Sequence, residues 1–332
     1  MFNEKYSEKG GTVVRPSSEA FEELERALSM KKQVILYGPP GTGKTYTARR
    51  FAMWWTYQDD TEKLADALSS PESFLELERN QSQGDDFSLV TRVTFHPSYS
   101  YEDFVEGFRP QETSDGTLSL KLENGIFKRI CQEAKDHPDQ RYLLIIDELN
   151  RGNISKILGE LITLLEANKR GMMITLPQSK EQFWVPENVY ILGTMNTADR
   201  SLRHLDVALR RRFQFIEYMP DAEKLADCVV GNIGLDDFLS ELNKRITKYF
   251  DREKQLGHAF LMKDGTGIRD EEDLVLRLRY EIIPLIQEYA LGDYRTLEKI
   301  LGKSIVDGDT LNEDTLSDGN ALLSAIAEHF PT

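Results

Sequence analysis

The chain has 332 residues, 40% of them hydrophobic and 10% aromatic, enough for about two domains with sizeable cores. A formal charge of −15 excludes adsorption of the whole surface to nucleic acid by counterion release, so any DNA contact has to be local or delegated to a partner. No stretch approaches the ~18 uninterrupted apolar residues of a membrane span. The segment MFNEKYSEKGG has no apolar signal-peptide core, so the expected compartment is the cytoplasm, with no membrane partner. Cys131 and Cys228 stand far apart and outside any CxxC, which supports neither a disulfide framework nor a zinc site.

Residues 1–18 carry little periodicity and read as a leader or linker stub. Phe21, Leu24, Leu28 and Met30 give a short helix leading into Val34, Ile35 and Leu36, a run that suits a strand buried on both faces of a parallel sheet. The next residues, Gly38, Pro39, Pro40, Gly41, Thr42, Gly43, Lys44 and Thr45, match GxxxxGK[ST]. In that loop successive backbone N–H groups surround phosphates and the lysine reaches the outer ones. After Lys44, past Thr45 and Tyr46, the residues Ala48, Phe51, Ala52 and Trp55 recur at helical spacing, so a helix starts at the loop with its positive end toward the anion. Gly38 to Tyr46 are therefore the candidate nucleotide-binding residues.

An acidic, polar segment at 58–86 reads as an insertion. A strand over 89–95 precedes HPSYSYEDFVEGFRP, in which His96, Tyr99, Tyr101, Phe104 and Phe108 form either a small aromatic core or a wall near the nucleotide or a subunit interface. Residues 111–122 read as a hairpin or exposed loop. The apolar run 142–146 ends in Asp147 and Glu148, at the strand edge where parallel α/β sheets place ligand chemistry. Beside a phosphate loop, Asp147 is the candidate Mg2+ ligand together with the Thr45 hydroxyl, and Glu148 the candidate base for the attacking water. Ile154, Ile157, Leu158, Leu161, Ile162 and Leu165 predict one unbroken helix, and a β-hairpin is expected over 172–186.

The run 189–194 leads to Asn196, an amide placed to orient water or sense a terminal phosphate. Arg200, Arg203, Arg210, Arg211 and Arg212 cluster before a strand at 215–218, and an arginine among them could serve a neighbouring subunit's phosphate. From Asp221 onward helical periodicities replace strand signals, giving an αβ domain over 19–220 and a helical lid with tail over 221–332. His258 in LGHAFLM is either a structural histidine or a nucleotide sensor.

The order of these parts resembles the AAA+ P-loop NTPases, α/β proteins with a five-stranded parallel sheet flanked by helices and followed by a small helical lid. FHPSYSYEDFVEGFRP, IIDELNRGNISKILGELITLLE and GTMNTADRSLRHLDVALRRRF are similar, more narrowly, to the McrB family of GTP-dependent restriction motors. The resemblance covers about residues 30–300 and implies Mg2+ and GTP at the phosphate loop, Asp147 and Glu148 as the Walker B pair, and Asn196 as sensor one. It places Asp199 and Arg200 in the family's signature loop and Arg211 or Arg212 as arginine finger. It also implies a ring, hexameric in the family, and an McrC-like nuclease partner, with DNA met mainly through that partner or through a methylation-reading domain that these residues do not contain. A phosphate loop touches only phosphates, so an ATP-using remodeller stays open, as does a nucleotide-gated assembly module.

Overall fold

The apolar runs at 33–38, 142–147 and 189–196 become central strands because almost every residue in them is buried, which requires cover on both faces. The computed structural model describes residues 19–56, 89–112, 116–198, 207–263 and 265–330, so the leader and the acidic segment at 58–86 lie outside the described residues. In chain order the strands are β1 (Gln33–Gly38), β2 (Val90–Thr94), β3 (Glu106–Glu112), β4 (Leu118–Asn124), β5 (Tyr142–Asp147), β6 (Ile174–Thr175), β7 (Gln182–Phe183), β8 (Val189–Asn196) and β9 (Gln214–Glu217). Five of them form one sheet in the order β2-β5-β8-β1-β9, every pair parallel.

Alternation along the strands separates two cores. Val34, Leu36, Leu143, Ile145 and Leu192 face α1 (Glu19–Lys31) and α2 (Lys44–Thr56), which cover them with Phe21, Leu24, Leu28, Phe51 and Trp55. Ile35, Leu144, Ile146 and Ile191 face the other way, beneath the helix Ile126–Asp136 and the segment 154–165. The aromatic stretch resolves mainly as core. Phe104 stacks on Phe127 at 5.0 Å and Phe95 on Tyr99 at 4.8 Å, whereas Phe108 is 53% exposed.

Residues 154–165 do not form the unbroken helix their spacing predicts. The chain turns at Gly159 (φ 52°, ψ −132°), and the stripe splits into Ile154–Leu158 and Leu161–Leu164. A Cβ on Gly159 would lie 3.1 Å from the Tyr101 ring, and the Tyr101 hydroxyl donates to Glu160 Oε1 at 2.7 Å. The break therefore seats a tyrosine from a distant segment, a reason that lies outside the stripe's own periodicity.

Two antiparallel hairpins, β3–β4 and β6–β7, leave the sheet domain. The first covers 106–124, more than the 111–122 that alternation marks, because Phe108 and Pro110 pair with Leu122 and Leu120. One buried carboxylate joins the two hairpins. Glu106, fully buried at the root of β3, accepts from Lys128 Nζ at 2.8 Å with one oxygen and from the Gln178 and Ser179 backbone N–H groups at 3.2 and 2.9 Å with the other.

At the start of β1, Gln33 and Arg170 are both buried. The Arg170 guanidinium donates to the carbonyls of Leu165, Pro186 and Val189 and to Gln33 Oε1, and Gln33 Nε2 donates to the carbonyls of Leu165 and Arg212. Beyond residue 221 the apolar stripes of Leu235–Tyr249, Glu271–Arg277, Ile283–Ala290, Tyr294–Leu301 and Gly319–His329 share a separate helical core. Short two-residue ladders such as Val229–Val230 with Ile233–Gly234 interrupt these helices. Among the described residues, no helix is long and apolar enough to cross a membrane.

Candidate active site

The loop from Gly38 to Gly43 joins β1 to α2, and Gly43 adopts φ 83°, a left-handed conformation that residues with a Cβ rarely take. Gly38 is needed for space, since a Cβ there would lie 2.0 Å from the Tyr218 carbonyl oxygen. Lys44 folds back on the loop: its ammonium donates to the carbonyls of Gly38 at 3.0 Å and Pro39 at 2.6 Å, while Thr42 Oγ1 donates to Pro39 O at 3.1 Å. Thr45 and Tyr46 are exposed on the first turn of α2, and the Arg50 guanidinium lies 5.5 Å from the Tyr46 ring centre.

Parallel register brings the remaining groups to the same sheet edge. Gly38 is paired with Asn196, and the Thr197 N–H donates to the Gly38 carbonyl at 3.0 Å. One strand further, β5 ends in Asp147, 8% exposed, whose Oδ1 accepts from the Thr194 hydroxyl at 2.9 Å and whose Oδ2 lies 3.9 Å from Arg92 Nε. Glu148 follows in a left-handed conformation, φ 53°, unusual for a residue with a side chain and a form of strain that collects at functional sites. Its Oε1 accepts from Asn196 Nδ2 at 2.9 Å, and its Oε2 from Arg151 Nε at 3.0 Å. The DE pair and the strand-end amide are thus brought together beside the loop. Thr194, Arg92 and Arg151 carry no motif that would single them out, although a threonine inside an otherwise apolar central strand is a weak signal for Thr194.

The donor set fits Mg2+, which keeps most of its waters and takes one or two protein oxygens besides those of phosphate. Among the described residues no cluster of three or more histidine, cysteine or carboxylate side chains could enclose a metal, so a site of the all-protein kind is not built here.

Arg211 and Arg212 lie elsewhere. They end the short helix Val207–Arg212 and, with Gln33 and Glu166, line an open cleft of about 270 Å³ at the start of β1. The loop follows the other end of that strand, roughly 17 Å away at ~3.3 Å per residue. Arg212 is ion-paired with Glu166 at 2.8 Å, and Arg211 is exposed. Asp199 and Arg200 lie outside the described residues.

Burial pulls the Lys44 ammonium down to about 8, with the Glu148 charge opposing the shift. Bound phosphate raises it again, so above about pH 8 binding takes up a proton. Nucleotide affinity should be level below that pH and fall as pH rises beyond it. Equilibrium titrations from about pH 7 to about pH 10 check this, and affinity unchanged at the alkaline end would remove the lysine from the binding step.

Family models match segments in both halves of the chain. A model of the AAA domain of the dynein-related subfamily matches residues 88–213, and a model of the McrB alpha-helical lid domain matches residues 234–298. Over 306 residues the chain is 36% identical to the type IV methyl-directed restriction enzyme EcoKMcrB subunit of Escherichia coli strain K12, an alignment covering 86% of this chain and 60% of that one. This is an AAA+ protein of the McrB family. It is also 28% identical over 279 residues to the type II restriction enzyme BsuMI component YdiS of Bacillus subtilis strain 168, covering 70% of this chain and 73% of that one. The chain spans 60% of the length of the first relative.

Proposed function

We propose that this McrB-family chain is a Mg2+-dependent nucleoside triphosphatase, GTP its preferred substrate, working as the ring-forming motor of a restriction system and driving a nuclease subunit of the McrC kind. The observation that carries the hydrolytic part is the hydrogen bond between Asn196 Nδ2 and Glu148 Oε1 at 2.9 Å, beside a strand pairing that joins Asn196 to Gly38. Backbone N–H groups of the loop hold the phosphates, and Lys44 exchanges the Gly38 and Pro39 carbonyls for phosphate oxygens. Thr45 and Asp147 would hold Mg2+, which when bound neutralises charge on the phosphates. Thr194 fixes the rotamer of Asp147.

Glu148 is the base that aligns water on the terminal phosphate. Each of its oxygens accepts one hydrogen bond, from Asn196 and from Arg151, which orients the carboxylate and leaves lone pairs for the water. Asn196, close to the loop, is the partner a terminal phosphate would draw away.

Arg211 supplies the transition state's cation to a neighbouring copy, because the length of β1 separates it from its own loop and Arg212 is already committed to Glu166. Arg211→Ala and Lys44→Ala chains, each inactive alone, should recover hydrolysis when mixed. No recovery would place Arg211 outside a shared site.

Guanine preference, a hexameric ring and the nuclease partner rest on the family relationship. Hydrolysis of GTP against ATP by the purified chain, with Lys44→Ala as control and particle size followed alongside, tests them first. Turnover of GTP with nucleotide-driven assembly supports the restriction motor. Preference for ATP would leave the site chemistry standing and remove the guanine assignment.

A further inference from the structure

The start of β1 is built around a buried charge that packing alone does not call for. Arg170, 7% exposed, donates to the carbonyls of Leu165, Pro186 and Val189 at 3.3, 3.2 and 3.1 Å and to Gln33 Oε1 at 2.9 Å. All four of these acceptors are uncharged. Burial pulls the guanidinium down to about 10 and leaves it charged near pH 7. Burying a cation with no carboxylate to balance it is unfavourable, and an apolar side chain would fill the space more cheaply. What only the planar fork can do is hold backbone from separate segments, at 165, 186 and 189, in one place together with the Gln33 amide.

Gln33 passes that constraint on. With its oxygen held by Arg170, the fully buried amide aims its two N–H donors at the carbonyls of Leu165, at 2.8 Å, and Arg212, at 2.6 Å. The same two stretches meet a second time. Glu166, the residue after Leu165, accepts from the Arg212 guanidinium at 2.8 Å with one oxygen and from Lys169 at 3.1 Å with the other. Arg212 is thus held at its carbonyl and at its guanidinium, both against 165–166. Phe213, 4% exposed, and the pairing of Gln214 with Val34 fix the chain that follows. Arg211, exposed, projects from the residue just before this clamp.

We propose that Gln33 and Arg170 are positioning residues for Arg211, clamping the backbone of Arg212 so that the Arg211 side chain is presented to an adjacent copy at one angle. This rests on the reading above in which Arg211 serves a neighbour's phosphate, and adds to it the mount that aims the arginine. A forked cation stabilises a transition state only when its direction is set beforehand, so a slack mount loses rate and not substrate affinity. Gln33 opens β1 and the phosphate loop follows its other end, so the loss belongs to the neighbour's site rather than to the chain's own.

The informative change is Gln33→Glu. Its carboxylate keeps the volume and the contact with Arg170, which holds it ionised, but it has no N–H for the Arg212 carbonyl. The assay is hydrolysis of GTP and of ATP, with Mg2+, by mixed Arg211→Ala and Lys44→Ala chains, where a working site takes its loop from the first and its arginine from the second. Adding Gln33→Glu to the Lys44→Ala chain should lower the recovered kcat about tenfold and leave KM within about threefold. The same change added to the Arg211→Ala chain should leave both within about threefold. Arg170→Met should give the same asymmetry, and Gln33→Glu decides the matter if that chain does not fold. Equal losses in the two positions would make the network a support of the fold alone, and no loss in either would detach it from the arginine; each overturns the proposal. A parent mixture without recovery would instead overturn the shared-site reading of Arg211, and the mount with it.

Discussion

Glu148→Gln should abolish steady-state hydrolysis, lowering turnover by about 10²–10⁴-fold, while nucleotide binding stays near wild type. The amide is nearly isosteric and can still meet Asn196, but it cannot accept a proton from water. The Lys44 contacts with the Gly38 and Pro39 carbonyls do not involve the altered group. Single-turnover hydrolysis and equilibrium binding measured on one preparation separate the two effects. Equal loss of both would mean that Glu148 shapes the loop and does not act as a base. The same variant bears on the motor. Partner-dependent DNA cleavage that persists without turnover would favour a nucleotide-gated assembly module over a chain that moves its partner.

Lys128→Met should destabilise the sheet domain by about 3–5 kcal/mol. Lys128 is 2% exposed and Glu106 fully buried, so removing the ammonium strands a carboxylate in the interior with only neutral hydrogen bonds from Gln178 and Ser179 to hold it. Glu181, the second carboxylate on Lys128, is 60% exposed and contributes little by comparison. Urea unfolding gives the size of the loss. Pairing the change with Glu106→Gln should restore much of it, because the uncompensated charge is then gone. A loss below about 1 kcal/mol in the single variant would mean that water reaches Glu106.

What could be read from sequence follows a physical divide. The central strands were legible because a strand covered on both faces is apolar throughout, and the loop was legible because phosphate binding constrains consecutive residues. The lid's first stripe, Leu235, Phe238, Leu239, Leu242 and Ile246, is buried in full. The break at Gly159 was not legible, since its cause is a tyrosine some sixty positions away in the chain, Tyr101. For the same reason Thr194, which steadies Asp147, and the lid segment around His258, which rests on the loop, become visible only once strand register and lid docking are known. The ion pair of Arg212 with Glu166 was likewise not legible, since the two lie far apart in the chain.

β1 carries one further consequence. Its last residue, Gly38, holds Lys44 and Thr197 through a single carbonyl, and its first, Gln33, holds the backbone of Arg212 and the Arg170 guanidinium. Between them lies an extended strand bonded to a neighbour on either side, which neither shortens nor buckles under small loads. Such a strand is a pushrod. The strand therefore holds the phosphate loop and the cleft lined by the arginines at a fixed separation.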